Sequence, residues 1–564
     1  MKKIKLSFLS LALCLAFNHL FAVNYYVTTT GVNTNDGLSW ANATTLNAAL
    51  AIAANDDVIH MGAGTFSPTD MITSGTLEGD KTFEIKSNVS LIGGYPVSPN
   101  PGDVPSASNI TKLDGLLTSY HVIAVTAPVV TDKKVSIQNI SVTGGKAAAT
   151  GTALTINTLS YVRINGGAMI IGGSVVEISN CRIFDNQSGA HTPGLYIFSG
   201  ANVTINDCTI ENNIGVGAAG NGASLWVASS TIRVNNSSII GNKNSGVGAI
   251  QVITNTNAYF YNTTIAKNVA GLGNTTTSRN GSGIYVRDGS NVQVVNCTIY
   301  GNESNGNGAG IAIHTSNATT LPNTVNVINS TITANVSKLL TPSTAGICVL
   351  TSGCTTNIYN SVVSGNIALG TTTNYDAAAL STTTSVINSK NTIISTKVLD
   401  AIGAEVADKT FTYTTMLDTL ANNGGDTKTC KLLLDETANP AKSLGMSSAS
   451  LISTGASLTP VVPESVVAYD QLGNMRAGNV MGAWVNNGPF SEIISNTIQK
   501  PAVYAEGNNV CVKTVAKDKL IIYTISGQRV YQTVADGSLT KINNLTKGNI
   551  YIVNLNGIST KFVF

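Results

Sequence analysis

The sequence predicts an all-β chain: a right-handed parallel β-helix followed by a small C-terminal β-sandwich. Three observations point there. A short phrase returns at least eight times through the middle of the chain, and alternating apolar runs precede its copies. In addition, only 11% of the 564 residues are charged while 54 are Gly. The phrase is Asn, a small residue, any residue, a β-branched residue and, three positions later, a closing Asn. It reads Asn180-Cys181-Arg182-Ile183 with Asn186, and returns from Asp207, Asn236, Asn262, Asn296, Asn329 and Asn360, with a weaker early copy at Asn139. Successive copies lie 41, 27, 29, 26, 34, 33 and 31 residues apart. A fixed phrase at a loosely varying period means stacked coils whose loops differ in length.

Each coil is expected to carry three short strands. The clearest copy runs Gly283–Arg287, turns at Asp288-Gly289-Ser290, continues as Asn291–Val295, and adds Thr298-Ile299-Tyr300 through the phrase. Alternation sends Ile284 and Val286 inward and Tyr285 and Arg287 outward. Stacked strands lie roughly 4.8 Å apart, so equivalent residues in successive coils touch. Asn180, Asn236, Asn262, Asn296, Asn329 and Asn360 are therefore expected to form a side-chain amide ladder along one corner. Asn suits such a corner because it tolerates left-handed backbone and bonds its own neighbours. Ahead of the coils, Thr45–Ala53 reads as a helix placed to cover the open end of the stack before the first strand, Asp57–Met61.

At the start, Lys2, Lys3 and Lys5, the apolar run Leu6–Phe17 and then Leu20-Phe21-Ala22 read as a secretory signal over residues 1–22. Leu11-Ala12-Leu13-Cys14 resembles a lipoprotein box only loosely, because Leu13 is bulky. No later run reaches the ~18 apolar residues of a membrane helix, so no transmembrane segment is expected. The formal net charge is +2, with no basic cluster suited to nucleic acid. Of eight cysteines, seven follow the signal. Cys181, Cys208 and Cys297 share the phrase's second slot with Ser237, Thr263, Ser330 and Ser361, as small stacking residues do. Cys348 and Cys354 flank one turn and form the one pair placed for a bridge. No metal-type spacing is present. Asn33-Thr34-Asn35-Asp36-Gly37 has oxygen donors for Ca²⁺ but reads as a turn, so no cofactor is assigned. Gly215–Gly220 fits a dinucleotide fingerprint by letters, yet follows an Asn corner instead of opening a helix.

Tyr25-Tyr26-Val27, Gly31, Asn35-Asp36-Gly37, Ser39-Trp40 and Gly64-Thr65-Phe66 together resemble the opening of secreted pectin-lyase-like β-helix proteins. Leu420–Thr429, Asn439-Pro440-Ala441, the Asp-x-x-Gly-x-x-Arg phrase Asp470–Arg476 and Gly482-Ala483 resemble that superfamily's terminal coil. The acidic residues that usually flank the closing Gly-Ala are replaced by neutral ones near Val480 and Val485. The resemblance covers residues 23–486. It implies a fold more than an activity, since the superfamily holds lyases, hydrolases and non-catalytic surface proteins. After a linker over 487–500, residues 501–564 carry short strands with Gly turns and resemble the C-terminal sorting domains of type IX secretion. That resemblance implies export through a secretion machinery to the exterior or outer surface of a Gram-negative bacterium.

Catalysis on this fold needs converging charge. Hydrolases need paired carboxyls, and lyases need an Arg or Lys base with Ca²⁺ or an equivalent positive group. The acids Glu177, Asp185, Asp207, Glu211, Asp288, Glu303 and Asp376 offer no pair on one strand face, and the family's hydrolase phrases Asn-Thr-Asp, Gly-His-Gly and Arg-Ile-Lys are absent. No catalytic residue is assigned. Aligning the first strand of each coil places Phe198, Trp226, Arg287 and His314 at corresponding outward positions, beside Tyr196 and Tyr285. Aromatic rings on a flat face stack on sugars, while Arg and His bond hydroxyls or carboxylates. The sequence thus favours a secreted or cell-surface, non-catalytic, adhesin-like protein that binds a polysaccharide or surface glycan. A polysaccharide lyase or glycoside hydrolase acting on the β-helix face is the competing class, with Arg287 beside His314 the pair for lyase chemistry. A passive surface-layer or spacer protein is the third, favoured if loops cover the aromatic stripe.

Overall fold

The computed structural model describes residues 22–217, 222–273, 278–341, 343–370, 376–380, 384–406, 412–433, 438–476, 478–485, 503–506, 509–514, 519–524, 529–535, 537, 539–555 and 558–564. The signal segment (except Ala22), the linker and the second half of the Gly215–Gly220 run lie outside them. The chain divides into two compact units, residues 1–487 and 488–564.

The first unit is a right-handed parallel β-helix. Its strands stack into four sheets, named here in the order one coil visits them. Sheet 1 has ten strands from Phe83–Ile85 to Ala377–Ala379, and sheet 2 has twelve from Asn24–Val27 to Val386–Lys390. Sheet 3 has twelve from Gly64–Phe66 to Lys397–Leu399, and sheet 4 eight from Lys146–Ala147 to Ile367–Ala368. The three strands expected per coil are Ile284–Arg287, Asn291–Val295 and Thr298–Tyr300, but a fourth, Glu303–Ser304, follows them. Its two-residue length gives no alternation to read, which is why the sequence hid it. Inward residues such as Leu195, Ile197, Val203, Ile205 and Ile210 are fully buried in one continuous core. Burial of each such side chain contributes about 1.5–3 kcal/mol, and this apolar column is the main force holding the coils in register.

Two files of asparagine mark the corners of the coil. The opening Asn of each phrase sits between sheets 2 and 3 in left-handed backbone, with φ from 48° to 53° at Asn180, Asn236, Asn262, Asn296, Asn329 and Asn360. The amide ladder expected there is interrupted. Asn262 donates to Asn236 Oδ1 (3.0 Å), Asn296 to Asn262 Oδ1 (3.1 Å) and Asn360 to Asn329 Oδ1 (2.8 Å). Asn180 is separated from Asn236 by the Asp207 coil and does not join. Between Asn296 and Asn329 the ladder breaks because the Arg476 guanidinium donates to Asn296 Oδ1 (3.3 Å) and the Asn329 carbonyl (3.5 Å).

The unbroken ladder belongs to the closing Asn of the phrase. In each of Asn186, Asn213, Asn242, Asn268, Asn302 and Asn335, the backbone N–H and Nδ2 both donate to Oδ1 of the next, at 2.8–3.1 Å. Asn366 ends the file by donating both groups to the Asp376 carboxylate (2.8 and 2.6 Å). All seven are essentially inaccessible. Burial of this kind is tolerated only because every amide is paired.

Helix Leu46–Ile52 packs Leu46, Ala49 and Leu50 into the N-terminal end of the core, its first turn capped by Thr45 Oγ1 accepting from Ala48 N–H (3.3 Å). At the other end the chain turns back. The described residues between 412 and 485 form a strap that runs outside sheets 2 and 3, and it includes a helix the sequence pattern did not reveal, Ser448–Ser457. The carbonyls of Val466, Val467, Val480 and Leu444 accept from the corner amides of Asn296, Asn329, Asn360 and Asn391. The Asp-x-x-Gly-x-x-Arg phrase builds this strap. Asp470 accepts from Leu472, Asn474 and Val485 N–H, closing a turn for which Gly473 supplies φ 81°. Buried Arg476 donates to the carbonyls of Tyr469, Val480 and Gly482 as well as to the coils.

None of the seven described cysteines forms a disulfide, and all are buried. The bridge expected between Cys348 and Cys354 does not form: Cys348 stands on sheet 1 opposite Ala312, whereas Cys354 points into the core.

The second unit has an antiparallel three-stranded sheet (Val503–Glu506, Asn509–Lys513, Leu539–Ile542) and a four-stranded one (Arg529–Val534, Lys519–Thr524, Ile550–Leu555, Ile558–Val563). Val510, Val512, Leu520, Ile522, Ile542 and Val553 form its core.

Candidate functional site

The outer face of sheet 1 carries every residue singled out for binding. Its strands Leu195–Phe198, Leu225–Ala228, Ile250–Ile253, Ile284–Arg287 and Ile311–His314 alternate strictly, with Leu195, Ile197, Leu225, Val227, Ile250, Val252, Ile284, Val286, Ile311 and Ile313 fully buried in the core. The residues between them must point outward. In the observed register Tyr196, Trp226, Gln251, Tyr285, Ala312 and Cys348 form one outward file. Phe198 lies opposite Gly172, and Arg287 opposite His314, in the next outward file. Trp226 therefore does not align with Phe198, Arg287 and His314 as the sequence suggested. A slip of two residues keeps every side chain on its face, so alternation alone cannot fix it.

Phe198 is withdrawn from the surface. It is 5% exposed and packs with Ile72, Leu154, Ile156, Tyr161 and Ile170 beneath the hairpin Leu154–Ile156/Leu159–Tyr161. A Cβ on Gly172 would lie 2.6 Å from the Phe198 ring, so the coil below leaves room for that ring by having no side chain. Tyr196 stands at the hairpin's margin, stacked on Phe198 (5.1 Å between centroids) and edge-on to Trp226 (5.4 Å). Trp226 also meets the His191 ring edge-on at 5.9 Å.

Farther along the stack the face becomes polar. Tyr285 and His314 have ring centroids 6.5 Å apart, and the Arg287 guanidinium lies 5.9 Å from the Tyr285 centroid. Arg287 approaches the Asp288 carboxylate at 3.2 Å, while Asp288 Oδ1 accepts from Ser316 N–H (2.7 Å). Burial pushes the Tyr196 and Tyr285 hydroxyls above their ordinary pKa, which keeps both neutral donors. Burial also pulls His314 below its ordinary value; the Arg287 charge adds to that and Asp288 opposes it. Near neutral pH this end of the face holds a neutral imidazole beside the Arg287–Asp288 ion pair.

Two further polar residues escaped the sequence reading. Gln251 is 1% exposed between Trp226 and Tyr285, and Arg279 leads into the Tyr285 strand. The copy from Gly248 to Val252 fits the coil pattern poorly, and its outward Gln carried no aromatic or charge signal. Among the described residues, no group of three His, Cys, Asp or Glu is arranged to hold a metal ion. No helix there is long and apolar enough to cross a membrane.

Comparison with known proteins agrees on the coils. Residues 122–265 and 266–363 match the family described as right-handed beta helix region. Pectate lyase Pel9A is similar in structure at 14% identity over 82% of this chain and 96% of that one, with a TM-score of 0.42. XylC in complex with xylose is similar at 11% identity over 94% of this chain and all of that one, with a TM-score of 0.29. Neither likeness is close enough to carry an argument about activity. No match was found among curated proteins.

Proposed function

We propose that the protein is an exported β-helix that binds a glycan on the outer face of sheet 1 without cleaving it. The observation that carries this reading is the face itself. Half-buried Tyr196, Trp226 and Tyr285 follow one file at rung spacing, and Arg287 and His314 stand beside them. A rigid sheet holds such rings at little entropic cost, and their faces favour the C–H surface of a sugar while Arg and His bond its oxygens. The carboxylate of Asp288 beside this pair is already occupied by Ser316 and Arg287, which leaves it poorly placed as a proton carrier. Export and surface attachment rest on the N-terminal signal pattern and the resemblance of the C-terminal unit to sorting domains.

A lyase reading is favoured by one observation, the neutral His314 beside the Arg287 guanidinium. One experiment separates the two. Purified protein is incubated with neutral and acidic polysaccharides and resolved by size-exclusion chromatography. Co-elution with polymer of unchanged length, lost in Trp226→Ala, is the expected result. Shortened polymer would replace the binding reading with a catalytic one. Failure to co-elute with any polymer would favour a spacer role.

A further inference from the structure

Buried polar atoms without partners are rare in folded proteins, because each has lost its water without gaining a hydrogen bond. Of the eleven such side-chain atoms among the described residues, four lie on the outer face of sheet 1. Trp226 Nε1, Gln251 Oε1, Arg287 Nε and His314 Nδ1 are all buried and unpaired. They stand on four consecutive strands of sheet 1, one to each coil. Trp226 and Gln251 are direct register partners, as are Arg287 and His314. Trp226 offers a donor and Gln251 an acceptor on adjacent rungs, yet the two do not bond each other. Arg279 Nε, in the segment entering the third of these strands, is unpaired as well.

We infer that these four residues form a polar track, stepping from the Trp226–Gln251 file to the neighbouring Arg287–His314 file, that reads a linear oligosaccharide lying along the stack, with Gln251 as the residue that accepts a ligand hydroxyl. The inference rests on the glycan-binding reading and adds to it an orientation, a length and a specificity residue. Coils repeat at roughly 4.8 Å, so the three intervals from Trp226 to His314 span roughly 14 Å. A monosaccharide cannot cover that span; a chain of several units can. Gln251 Oε1 is the acceptor of the set, and it requires a hydroxyl donor. Trp226 Nε1 and Arg287 Nε are donors, and they require ligand oxygens. Gln251 is the register partner of both Trp226 and Tyr285, so a hydroxyl bound to it lies beside Trp226 and alters its emission.

The test uses the intact protein and homologous series, from one to six units, of gluco-, xylo-, manno- and galacto-oligosaccharides. Binding is read by calorimetry and Trp fluorescence, and Tm is measured without sugar. Gln251→Met keeps the side-chain length and removes the orphaned acceptor. The expected result has three parts: affinity in one series rises steeply up to three or four units and then levels; Gln251→Met weakens that binding about tenfold, the loss of one hydrogen bond; and the same variant raises Tm in the absence of sugar. Binding that does not depend on length, or that is equal in wild type and Gln251→Met, overturns the polar track and leaves the glycan-binding reading standing. A wild type that binds no oligosaccharide overturns both. A Gln251→Met variant that melts below wild type shows that the amide is satisfied within the fold, and this also overturns the inference.

Discussion

Replacing Asn268 with Ala would cut the buried ladder near its middle. Asn268 Oδ1 accepts from both the N–H and the Nδ2 of Asn242 (3.0 Å each), and its own Nδ2 donates to Asn302 Oδ1 (2.9 Å) and the Ile239 carbonyl (3.0 Å). The Asn242 side chain would keep the Ile210 carbonyl (2.9 Å). The Asn242 backbone N–H would keep nothing. One orphaned buried N–H costs about 1–3 kcal/mol and the other lost bonds about 0.5–1.5 kcal/mol each, so a loss of about 4 kcal/mol is expected. Against a typical total of about 5–15 kcal/mol, that is a severe defect. Asn236→Gly is the matched control. Its corner is partly exposed, water can replace the Asn262 contact, and Gly accepts the left-handed backbone at little cost, so a loss of about 1 kcal/mol or less is expected. Urea unfolding followed by far-UV circular dichroism reads both variants, with the slopes checked for equality before midpoints are compared. Equal midpoint shifts for the two variants would refute the claim that the closing Asn file, and not the opening one, carries the coils' polar stability.

Other predictions follow from the same geometry. Arg476→Met would strip the donor that ties the strap to the Asn296 and Asn329 coils, costing about 3 kcal/mol; limited proteolysis should then release fragments cut between residues 412 and 485 while glycan co-elution persists. His121 is buried and its pKa is pulled down to about 4 by burial, with its Nδ1 on the Gly166 carbonyl (3.0 Å). Its folded pKa lies below the unfolded value of about 6.5, so stability is retained above that value and falls as pH drops toward 4. Urea midpoints at pH 7 and 4.5 should show this loss, and His121→Gln should reduce it. Asp376 is shifted the other way: burial raises its pKa, and the Asn366 donors only partly offset this. Its contribution therefore falls as pH rises through the carboxylate range, and Asp376→Asn should flatten that slope and stabilise the protein at pH 7.

Much of the coil could be read from the sequence because its cause is local. Alternation in Ile284–Arg287 and Asn291–Val295, and the left-handed corner residue before each third strand, follow from nearest neighbours. What escaped depends on partners distant in sequence. Arg476 reads as the end of a short phrase, but its function is to reach carbonyls and amides 147 and 180 residues away. The closing Asn was visible as a repeated letter, yet its inward aim is fixed by the bend after sheet 3, which periodicity does not encode. The candidate site was legible as a face but not as a register. Phe198 and Trp226 differ by one outward step, and only the hairpin Leu154–Tyr161 shows that Phe198 is covered. Gln251 was overlooked because its importance comes from the lack of a partner, a property no sequence displays.

The most direct test of the account is a crystal structure of the protein soaked with the oligosaccharide that co-elutes most strongly. The account predicts sugar density along the outer face of sheet 1, over Trp226 and Tyr285 and reaching Arg287 and His314. Density on another sheet, or at the strap, would contradict it.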